Sequence, residues 1–380
     1  MIPPRWTGLA RAVAVVALLF VFLIGVKGMG DGFKLLGTDV LDSFFRATSN
    51  PFIGLVVGIL ATSLVQSSSV STTMIVSLVA APDNPLPIAN AIPMIMGANI
   101  GTTVTNSIVA LAHMGHRGAF RRAFAVATCH DFFNFMAVAI FLPLEMATGF
   151  LRKTSALMVE RLGGMSGAEF DSPIKRAIKA AVHPMEDAIE ALVTSTQWQG
   201  VVLVVLSALL IFVALLMLVR VMRAAVETRV EVYINRFLGA SAVLAMMVGV
   251  VVTVMVQSSS ITTALLVPLA GAGLLTIRQA FPITIGANIG TTVTALLASF
   301  GVSGPNASAG LQIALVHLLF NMSATMVIYP IPRIRAIPIR AAESLAAFAS
   351  RSRGWAFAYI VVLFYGIPAL LAYLSNLRAP

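Results

Sequence analysis

Two stretches of polar sequence decide the fold, Gln66-Ser67-Ser68-Ser69 and Gly97-Ala98-Asn99-Ile100-Gly101-Thr102-Thr103-Val104-Thr105, because both occur twice. The first returns as Gln257-Ser258-Ser259-Ser260, and the second returns unchanged over Gly286–Thr294. Each copy interrupts sequence that is otherwise apolar. Polar, glycine- and serine-rich breaks at matching places in two hydrophobic halves predict a binding site where the broken segments meet, near the middle of a membrane.

A third motif extends the duplication. The segment His130-Asp131-Phe132-Phe133-Asn134 corresponds to His317-Leu318-Leu319-Phe320-Asn321 in the second half. A charged stretch between the two repeats contains an amphipathic candidate helix, Ile174 to Val193, which we expect to lie on the surface. We divide the chain into an N-terminal transmembrane helix (1–35), a first transport repeat (36–150), a charged connector with a transmembrane helix (151–228), a second repeat (229–340) and a C-terminal transmembrane helix (341–380).

The composition predicts an all-α, polytopic membrane protein. Hydrophobic residues make up 58% of the chain, charged residues make up 11%, and the mean hydropathy is +0.94. The runs Ala12–Val26, Gly200–Val219 and Ala356–Leu374 are about long enough to cross a hydrocarbon core of ~30 Å. The first run is expected to be a retained helix rather than a signal peptide, because no small-residue cleavage site follows it. A single cysteine, Cys129, excludes an intramolecular disulfide.

The charges predict the orientation of the spans. The net charge of +10 comes from basic residues beside apolar runs, which favours cytoplasmic loops over nucleic-acid binding. Arg5 and Arg11 therefore predict a cytoplasmic N-terminus. A basic segment, His116–Arg122, precedes the helix that carries His130, whereas the uncharged segment 301–310 precedes the helix that carries His317. Opposite flanking charge on equivalent helices predicts inverted-topology repeats with broken helices.

The first polar phrase is predicted to be the tip of a re-entrant helical hairpin. Asn50-Pro51 opens a helical run that stops at Gln66, Val70–Val79 resumes it, and three prolines follow. Backbone of this kind is tolerated in a membrane only where it lines an enclosed cavity. Serines at the tip are expected to cap the second arm and to leave free amides at its start, which favours a negatively charged ligand.

The second phrase is predicted to hold Na⁺. Hydroxyl and amide oxygens suit a hard cation, and Gly97 and Gly101 around Asn99 are expected to allow a tight unwinding and close backbone approach. The alternative is that the small residues only pack helices together, which is their usual role in membranes. We favour the ion site because three hydroxyls and an amide occur together in each phrase, and both phrases are duplicated.

Asp131 is the one acidic residue in its apolar run, Ala123–Pro143, so it is a candidate for neutralising a bound cation. The alternative is an ion pair with Arg121 or Arg122. The neighbouring His130 and the later His317 are expected either to titrate or to hydrogen-bond across helices, and the second is favoured.

With these motifs the chain resembles the type II sodium-dependent phosphate cotransporters. The resemblance rests on both duplicated phrases, Phe120-Arg121-Arg122-Ala123-Phe124, His130–Asn134 and Tyr329-Pro330-Ile331-Pro332, and covers most of residues 36–340. It implies sodium-coupled uptake of inorganic phosphate, with the two hairpins forming the sites. In that family electrogenic members have an acidic residue at the Asp131 position, so the resemblance implies net inward movement of positive charge.

The chain departs from the family pattern. Gln and Asp stand in animal members at the positions of His113 and His116, and Ser stands at the position of Ala287. With Asn134 these positions help to hold one sodium ion, so that site is expected to be altered. Animal members also have a further C-terminal span that is missing here, and a long disulfide-bonded loop between the repeats. The connector here is short and has no disulfide, which predicts a bacterial protein of the cell inner membrane.

The sequence therefore predicts a symporter that takes up phosphate with Na⁺ by alternating access. It predicts no enzyme, no organic cofactor and no metal other than Na⁺. The expected partners are the two solutes and membrane lipid, and nucleic acid is not among them. The predicted phosphate ligands are Gln66, Ser67, Ser68, Ser69, Gln257, Ser258, Ser259 and Ser260. The predicted sodium ligands are Asn99, Thr102, Thr103, Asp131, Asn134, Asn288, Thr291, Thr292 and Asn321.

Three alternatives differ in cargo or in class. A symporter of sulfate or a carboxylate would keep the same scaffold, because the duplicated phrases contain no Lys or Arg that ranks anions. An intramembrane hydrolase is disfavoured because His130 and Asp131 are adjacent and point about 100° apart on a helix. A channel is disfavoured because clustered sites for both ions suggest stepwise binding.

Overall fold

The computed structural model describes residues 8–36, 46–163, 173–237, 241–302 and 304–376. Arg5, which contributed to the predicted orientation, and residues 164–172 of the predicted connector lie outside these ranges. The described helices are α1 Gly8–Leu35, α2 Pro51–Val65, α3 Ser68–Val79, α4 Ile88–Thr102, α5 Val104–Leu111, α6 Arg117–Thr148, α7 Phe150–Gly163, α8 Pro173–Leu192, α9 Thr196–Phe237, α10 Ala242–Val256, α11 Ser259–Gly271, α12 Ile277–Gly301, α13 Ala307–Ile328, α14 Pro332–Ala349, α15 Arg353–Val361 and α16 Ile367–Asn376, with a π-helical turn Val362–Gly366 before the last.

Seven of the described helical segments are long and apolar enough to cross a membrane: Leu9–Leu35, Ile88–Leu111, Arg117–Thr148, Thr196–Leu218, Ile277–Gly301, Ala307–Ile328 and Gly354–Leu371. The prediction of an all-α polytopic membrane protein is confirmed. Helices continue through three of the predicted domain boundaries, since α7 begins at Phe150, α9 passes residue 228 and α14 passes residue 340.

Four shorter apolar helices form two hairpins. Hairpin 1 consists of α2 and α3, and hairpin 2 consists of α10 and α11. The longest of these arms has 15 residues, which is about 22 Å of helix and less than a hydrocarbon core of ~30 Å. Each arm is therefore shorter than a membrane-spanning helix, which is compatible with the re-entrant hairpins that the sequence predicts.

Local capping chemistry produces hairpin 1. The Asn50 side chain accepts a hydrogen bond from the Phe52 N–H at 3.0 Å, and Pro51 occupies the first helical turn. Gln66 ends α2 in the left-handed conformation, with φ of 54°. Ser67 then caps α3 by accepting from the Val70 N–H at 3.3 Å. The chain thus reverses within two residues.

Hairpin 2 repeats this chemistry. Ser241 caps α10, and Gln257 ends it with φ of 55°. Ser258 caps α11 by accepting from the Ile261 N–H at 3.4 Å. Because the same residue types make the same reversal, the duplication seen in the sequence is a duplication of structure at the tips.

The duplicated glycines bring helices into close contact instead of unwinding them. α4 runs unbroken to Thr102, and α12 runs unbroken through its copy of the phrase. A Cβ on Gly97 would lie 2.1 Å from the Leu55 carbonyl oxygen, and one on Gly286 would lie 2.0 Å from that of Met246. The expected close backbone approach is confirmed, whereas the expected unwinding around Asn99 does not occur, and the first copy of the phrase is interrupted only at Thr103, between α4 and α5. Positions 97 and 286 need glycine because the backbone of the first hairpin arm lies where a side chain would be.

We expect Gly97→Ala to destabilise the protein by about 3 kcal/mol, at the upper end of overpacking costs, because backbone cannot rotate away as a side chain can. Gly30→Ala is the matched control, since a Cβ there meets no atom within 4 Å and alanine favours helix. Thermal unfolding in detergent measures the difference. Equal melting temperatures for the two variants would contradict this account of the glycines.

The long helices α6 and α13 carry His130 and His317, and they run antiparallel where they touch. The Gln312 side chain donates to the Arg152 carbonyl, just after α6, at 3.0 Å. Further along, the Phe141 and Phe320 rings lie 6.1 Å apart. Along this interface, later residues of α13 therefore face earlier residues of α6.

A second pair of long helices flanks the hairpins. α1 packs along α9, and the approach is close because Gly25 and Gly32 face Ile211 and Val204. α8 lies against both helices. It spans Pro173–Leu192, which confirms the amphipathic helix predicted at 174–193.

Candidate substrate and ion site

The tips of the two hairpins meet. The Ser69 hydroxyl lies 3.4 Å from the Gln257 carbonyl oxygen, to which it donates, and 3.4 Å from the Thr294 hydroxyl. Ser68, Ser69 and Ser259 are buried, and the other tip residues are partly or fully exposed. Three of the four phrase copies therefore converge on one place: both Gln-Ser-Ser-Ser phrases and the second Gly-Ala-Asn-Ile-Gly phrase.

The two tip glutamines are not equivalent. The Thr294 hydroxyl donates to Gln257 Oε1 at 2.9 Å, and Gln257 Nε2 donates to the Val254 carbonyl at 2.6 Å. Gln66, in contrast, is exposed. The sequence predicts the same role for both, but the structure fixes only Gln257 against α12.

The meeting point is the start of two helices, α3 and α11. At each start one serine accepts from the third backbone N–H of the helix, so the first two N–H groups remain without an intrahelical partner. A helix N-terminus carries roughly half a positive charge. Two of them converging would favour an anion even without Lys or Arg, which the tips lack.

A continuous chain of polar side chains joins the two halves behind the tips. Asn106 Nδ2 lies 3.1 Å from His130 Nδ1, and His130 Nε2 lies 2.6 Å from Asn288 Oδ1. Asn288 Nδ2 then donates to Asn134 Oδ1 at 2.9 Å, and Asn134 Nδ2 donates to the Asn99 carbonyl at 3.3 Å. All five residues are buried. Three of the predicted sodium ligands, Asn99, Asn134 and Asn288, are thus brought together.

The direction of this chain is fixed at its last member. The Asn99 backbone carbonyl can only accept, so Asn134 Nδ2 must face it. Asn134 Oδ1 must then accept from Asn288 Nδ2, and Asn288 Oδ1 must face His130. His130 Nδ1 is then an acceptor, and Nε2 carries the proton that is given to Asn288. The favoured expectation for His130, hydrogen bonding across helices, is what the geometry supports.

Asp131 lies fully buried beside this chain. Its Oδ2 accepts from the Tyr359 hydroxyl at 2.7 Å and from the Ser107 hydroxyl at 3.3 Å, whereas its Oδ1 has no hydrogen-bond partner among the described residues. The alternative of an ion pair with Arg121 or Arg122 is wrong, because Arg122 donates to backbone carbonyls of hairpin 2 and no ion pair of Asp131 occurs in the described ranges. A buried carboxylate oxygen without a partner is a candidate cation ligand.

The predicted threonine ligands are buried in both copies, and each hydroxyl donates to its own helix. Thr102 donates to the Ala98 carbonyl at 2.8 Å and Thr291 to the Ala287 carbonyl at 3.0 Å. Thr103 and Thr292 likewise donate to carbonyls three residues earlier. Because the hydroxyl protons are engaged in this way, the oxygen lone pairs remain available to a cation.

The second half lacks the equivalent of this polar chain. Both ring nitrogens of His317 and Asn321 Oδ1 are buried with no hydrogen-bond partner in the part of the chain that the structure describes. Asn321 Nδ2 only donates to the His317 carbonyl at 3.0 Å. The counterpart of Asn106 here is Ala295, which explains why His317 loses one partner. Asn321, a predicted sodium ligand, is not joined to the other candidates by hydrogen bonds.

Three further residues relate to the site. His113 lies against the end of hairpin 2, where a Cβ on Gly271 would be 2.7 Å from its ring. His116 is exposed at the start of α6, and Ala287 is buried next to Gly249 of α10. Tyr359 and Ser107, which contact Asp131, were missed by the sequence analysis. The only signal for Tyr359 was a hydroxyl within the last apolar run.

Comparison with known proteins identifies relatives along most of the chain. The family profile described as Na⁺/Pi-cotransporter matches residues 21–159 and 209–370. Human sodium-dependent phosphate transport protein 2B is 33% identical over 455 residues, which cover 97% of this chain and 66% of that protein. Rat sodium-dependent phosphate transport protein 2A is 34% identical, over 96% of this chain and 68% of that protein.

No solved structure gives a significant match. The chain spans about two thirds of the length of the relatives that it matches. Both halves of the chain, with both hairpins, lie within the matched residues. The chain belongs to the Na⁺/Pi-cotransporter family.

Proposed function

We propose that this protein is a symporter that uses the Na⁺ gradient to move inorganic phosphate into the cell. One observation carries the proposal: Ser69 of hairpin 1 meets Gln257 of hairpin 2, so that two helix N-termini converge on one partly buried point. That point suits an oxyanion. The names of the related proteins, sodium-dependent phosphate transport proteins, supply the identity of the anion and of the coupling ion.

The tip residues are the proposed phosphate ligands, through hydroxyls and free backbone amides. These residues are Gln66, Ser67, Ser68, Ser69, Gln257, Ser258, Ser259 and Ser260. The amides are neutral donors fixed in place by the helices, so they bind an anion without a permanent charge that would hold it too tightly to release. This matters for a transporter, which must let its substrate go on the other side.

The proposed sodium ligands are oxygen atoms behind the tips. They belong to Asn99, Thr102, Thr103, Asp131, Asn134, Asn288, Thr291, Thr292 and Asn321. The unpartnered Asp131 Oδ1 would supply the negative charge, and the threonine and amide oxygens would replace water around the ion. Only the first half has the carboxylate, which stays with the protein. The Na⁺ that it balances would have no counter-charge among the transported solutes, so this ion would make transport electrogenic.

Alternating access requires two halves that can exchange roles. The antiparallel contact of α6 with α13 supports inverted repeats, since these helices are equivalent in sequence. The charge pattern supports a cytoplasmic N-terminus, and the short connector supports a bacterial inner membrane. The protein would carry out no chemical reaction on its substrate.

Phosphate uptake into proteoliposomes tests the proposal. We expect radiolabelled phosphate to accumulate above equilibrium only with an inward Na⁺ gradient, by about tenfold per coupled ion when the gradient is tenfold, because each ion then supplies about 1.4 kcal/mol. An inward K⁺ gradient of the same size is the control. Accumulation that ignores the Na⁺ gradient would contradict the proposal.

The same preparation tests the choice of anion. Unlabelled phosphate is expected to abolish uptake of label, whereas sulfate and small carboxylates at equal concentration are expected to leave it unchanged. If sulfate or a carboxylate competes better than phosphate does, the scaffold carries a different cargo.

A further inference from the structure

The base of each hairpin is tied to the opposite half of the chain by one side chain. At hairpin 2, Arg122 Nη2 donates to the Gly271 carbonyl at 2.6 Å, and Arg122 Nε donates to the Ala270 carbonyl at 3.2 Å. These are among the last carbonyls of α11. The Ala270 carbonyl also accepts from the Gly273 N–H at 2.9 Å, so the guanidinium mainly satisfies the Gly271 carbonyl, and it complements the negative end of the helix dipole. Arg122 belongs to α6, in the first half.

Hairpin 1 is held in the same way from the second half. Asn306 Nδ2 donates to the Ala81 carbonyl at 2.7 Å and to the Pro82 carbonyl at 3.2 Å, just beyond the end of α3. Asn306 immediately precedes α13, which is the counterpart of α6. Nearby, Gly310 lies so close to Ala80 that a Cβ on it would be 3.0 Å from the Ala80 Cβ.

The two ties lie at opposite ends of α6. Arg122 is in the second turn of this helix, which has 32 residues and is about 48 Å long. Just beyond its other end, Arg152 contacts Gln312, six residues after Asn306. The hairpin tips meet between the ties, through Ser69 and Gln257. Each tie therefore fixes one hairpin at the far end from the site, on its own face of the molecule.

We propose that Arg122 and Asn306 are reciprocal positioning residues, each of which keeps one face of the site closed by holding the base of the opposite half's hairpin. The inference rests on the proposed function and on the inverted orientation. The arms also pack along neighbouring helices, α11 on α6 and α3 on α12, so a hairpin can shift only by sliding on these faces, and the tie at its base opposes that movement. The basic segment that contains Arg122 is predicted to be cytoplasmic, so Arg122 closes the inner face and Asn306 the outer face.

Loss of one tie should shift the population of the transporter towards the state that is open on that face. A protein that spends less time in the binding-competent state shows a proportionally weaker apparent affinity. Arg122→Gln should therefore raise the KM for external phosphate in uptake and lower the KM for internal phosphate in efflux. Asn306→Ala should do the opposite. A loss of fold or of expression cannot move the two constants in opposite directions.

The experiment measures both KM values in proteoliposomes of defined orientation. We expect the ratio of external to internal KM to rise about tenfold for Arg122→Gln and to fall several-fold for Asn306→Ala, which loses weaker, uncharged bonds. Arg122→Lys, which keeps the charge and one donor, should restore part of the effect. Arg121→Gln and Ser308→Ala are the matched controls, since they change exposed neighbours and leave the ties intact. Shifts of the same sign in both variants, or an unchanged ratio, would overturn the proposal.

Hydrogen exchange separates this inference from the proposed function. Arg122→Gln should accelerate amide exchange at residues 270–275, and Asn306→Ala should do so at residues 80–86, whether or not phosphate is the cargo. If wild-type protein fails to transport phosphate but these exchange changes occur, the proposed function fails and the ties remain. If wild-type transport is normal but neither variant changes exchange at the hairpin bases, the proposed role of Arg122 and Asn306 is rejected and the proposed function is kept.

Discussion

Asp131→Asn is expected to remove the net charge that accompanies each phosphate, so that uptake continues without a current. The substitution keeps the shape of the side chain and an oxygen that accepts from Tyr359 and Ser107, and it removes only the negative charge. A bound Na⁺ that this carboxylate balances in a buried site would then lack its counter-charge. We therefore expect one Na⁺ fewer per cycle, without unfolding.

The size of the effect follows from the membrane potential. One charge crossing 100 mV corresponds to about 2.3 kcal/mol, which is about a 50-fold difference in the concentration ratio that transport can sustain. Simultaneous measurement of current and radiolabelled phosphate uptake gives the charge moved per phosphate. This ratio should fall to near zero in Asp131→Asn, and accumulation should become insensitive to voltage.

Tyr359→Phe is the matched control. It removes the 2.7 Å hydrogen bond to the same carboxylate but keeps the charge, so the affinity for Na⁺ should change while the charge per phosphate is retained. If Asp131→Asn moves as much charge per phosphate as the wild type, the carboxylate does not balance a transported ion and its assignment as a sodium ligand is wrong.

The sequence predicted the hairpins accurately because their signals are local. Asn50 and Pro51 start a helix, Gln66 ends it, and Ser67 starts the next one, all through contacts within a few residues. The order of the long helices also followed from apolar length and duplication. Capping and hydropathy do not depend on what the rest of the chain does, so they can be read without a structure.

What the sequence left open depends on packing between distant segments. Glycine suits an unwound turn and a close helix contact equally well, and only the Leu55 carbonyl beside Gly97 decides between them. In the same way, Arg122 is equally plausible as a partner for Asp131 and for a helix end. His130 and Asn288 are 158 positions apart in the chain. The sequence shows that both are polar, but it does not show that they form a hydrogen bond with each other.

Asn288→Leu is expected to abolish transport and also to destabilise the protein, because Asn288 is where the two halves join. Its loss leaves the His130 Nε2–H and the Asn134 Oδ1 buried without their partner. Each such group costs about 1–3 kcal/mol, so we expect a loss of about 2–6 kcal/mol in the free energy of unfolding. Thermal unfolding in detergent and Na⁺-dependent uptake measure the two effects separately.

Asn99→Leu distinguishes the structural role of Asn288 from its role as a sodium ligand. Asn99 is its counterpart in the first repeat, but the Asn99 side chain donates only within its own helix, to the Ile95 carbonyl at 3.2 Å. The backbone carbonyl that Asn134 uses is kept in the variant. We expect Asn99→Leu to lower uptake as strongly as Asn288→Leu while it costs much less stability. If both variants lose the same stability, then burial of an amide makes Asn288 important, and the chain of hydrogen bonds between the halves does not. If Asn99→Leu keeps full uptake, Asn99 is not a sodium ligand.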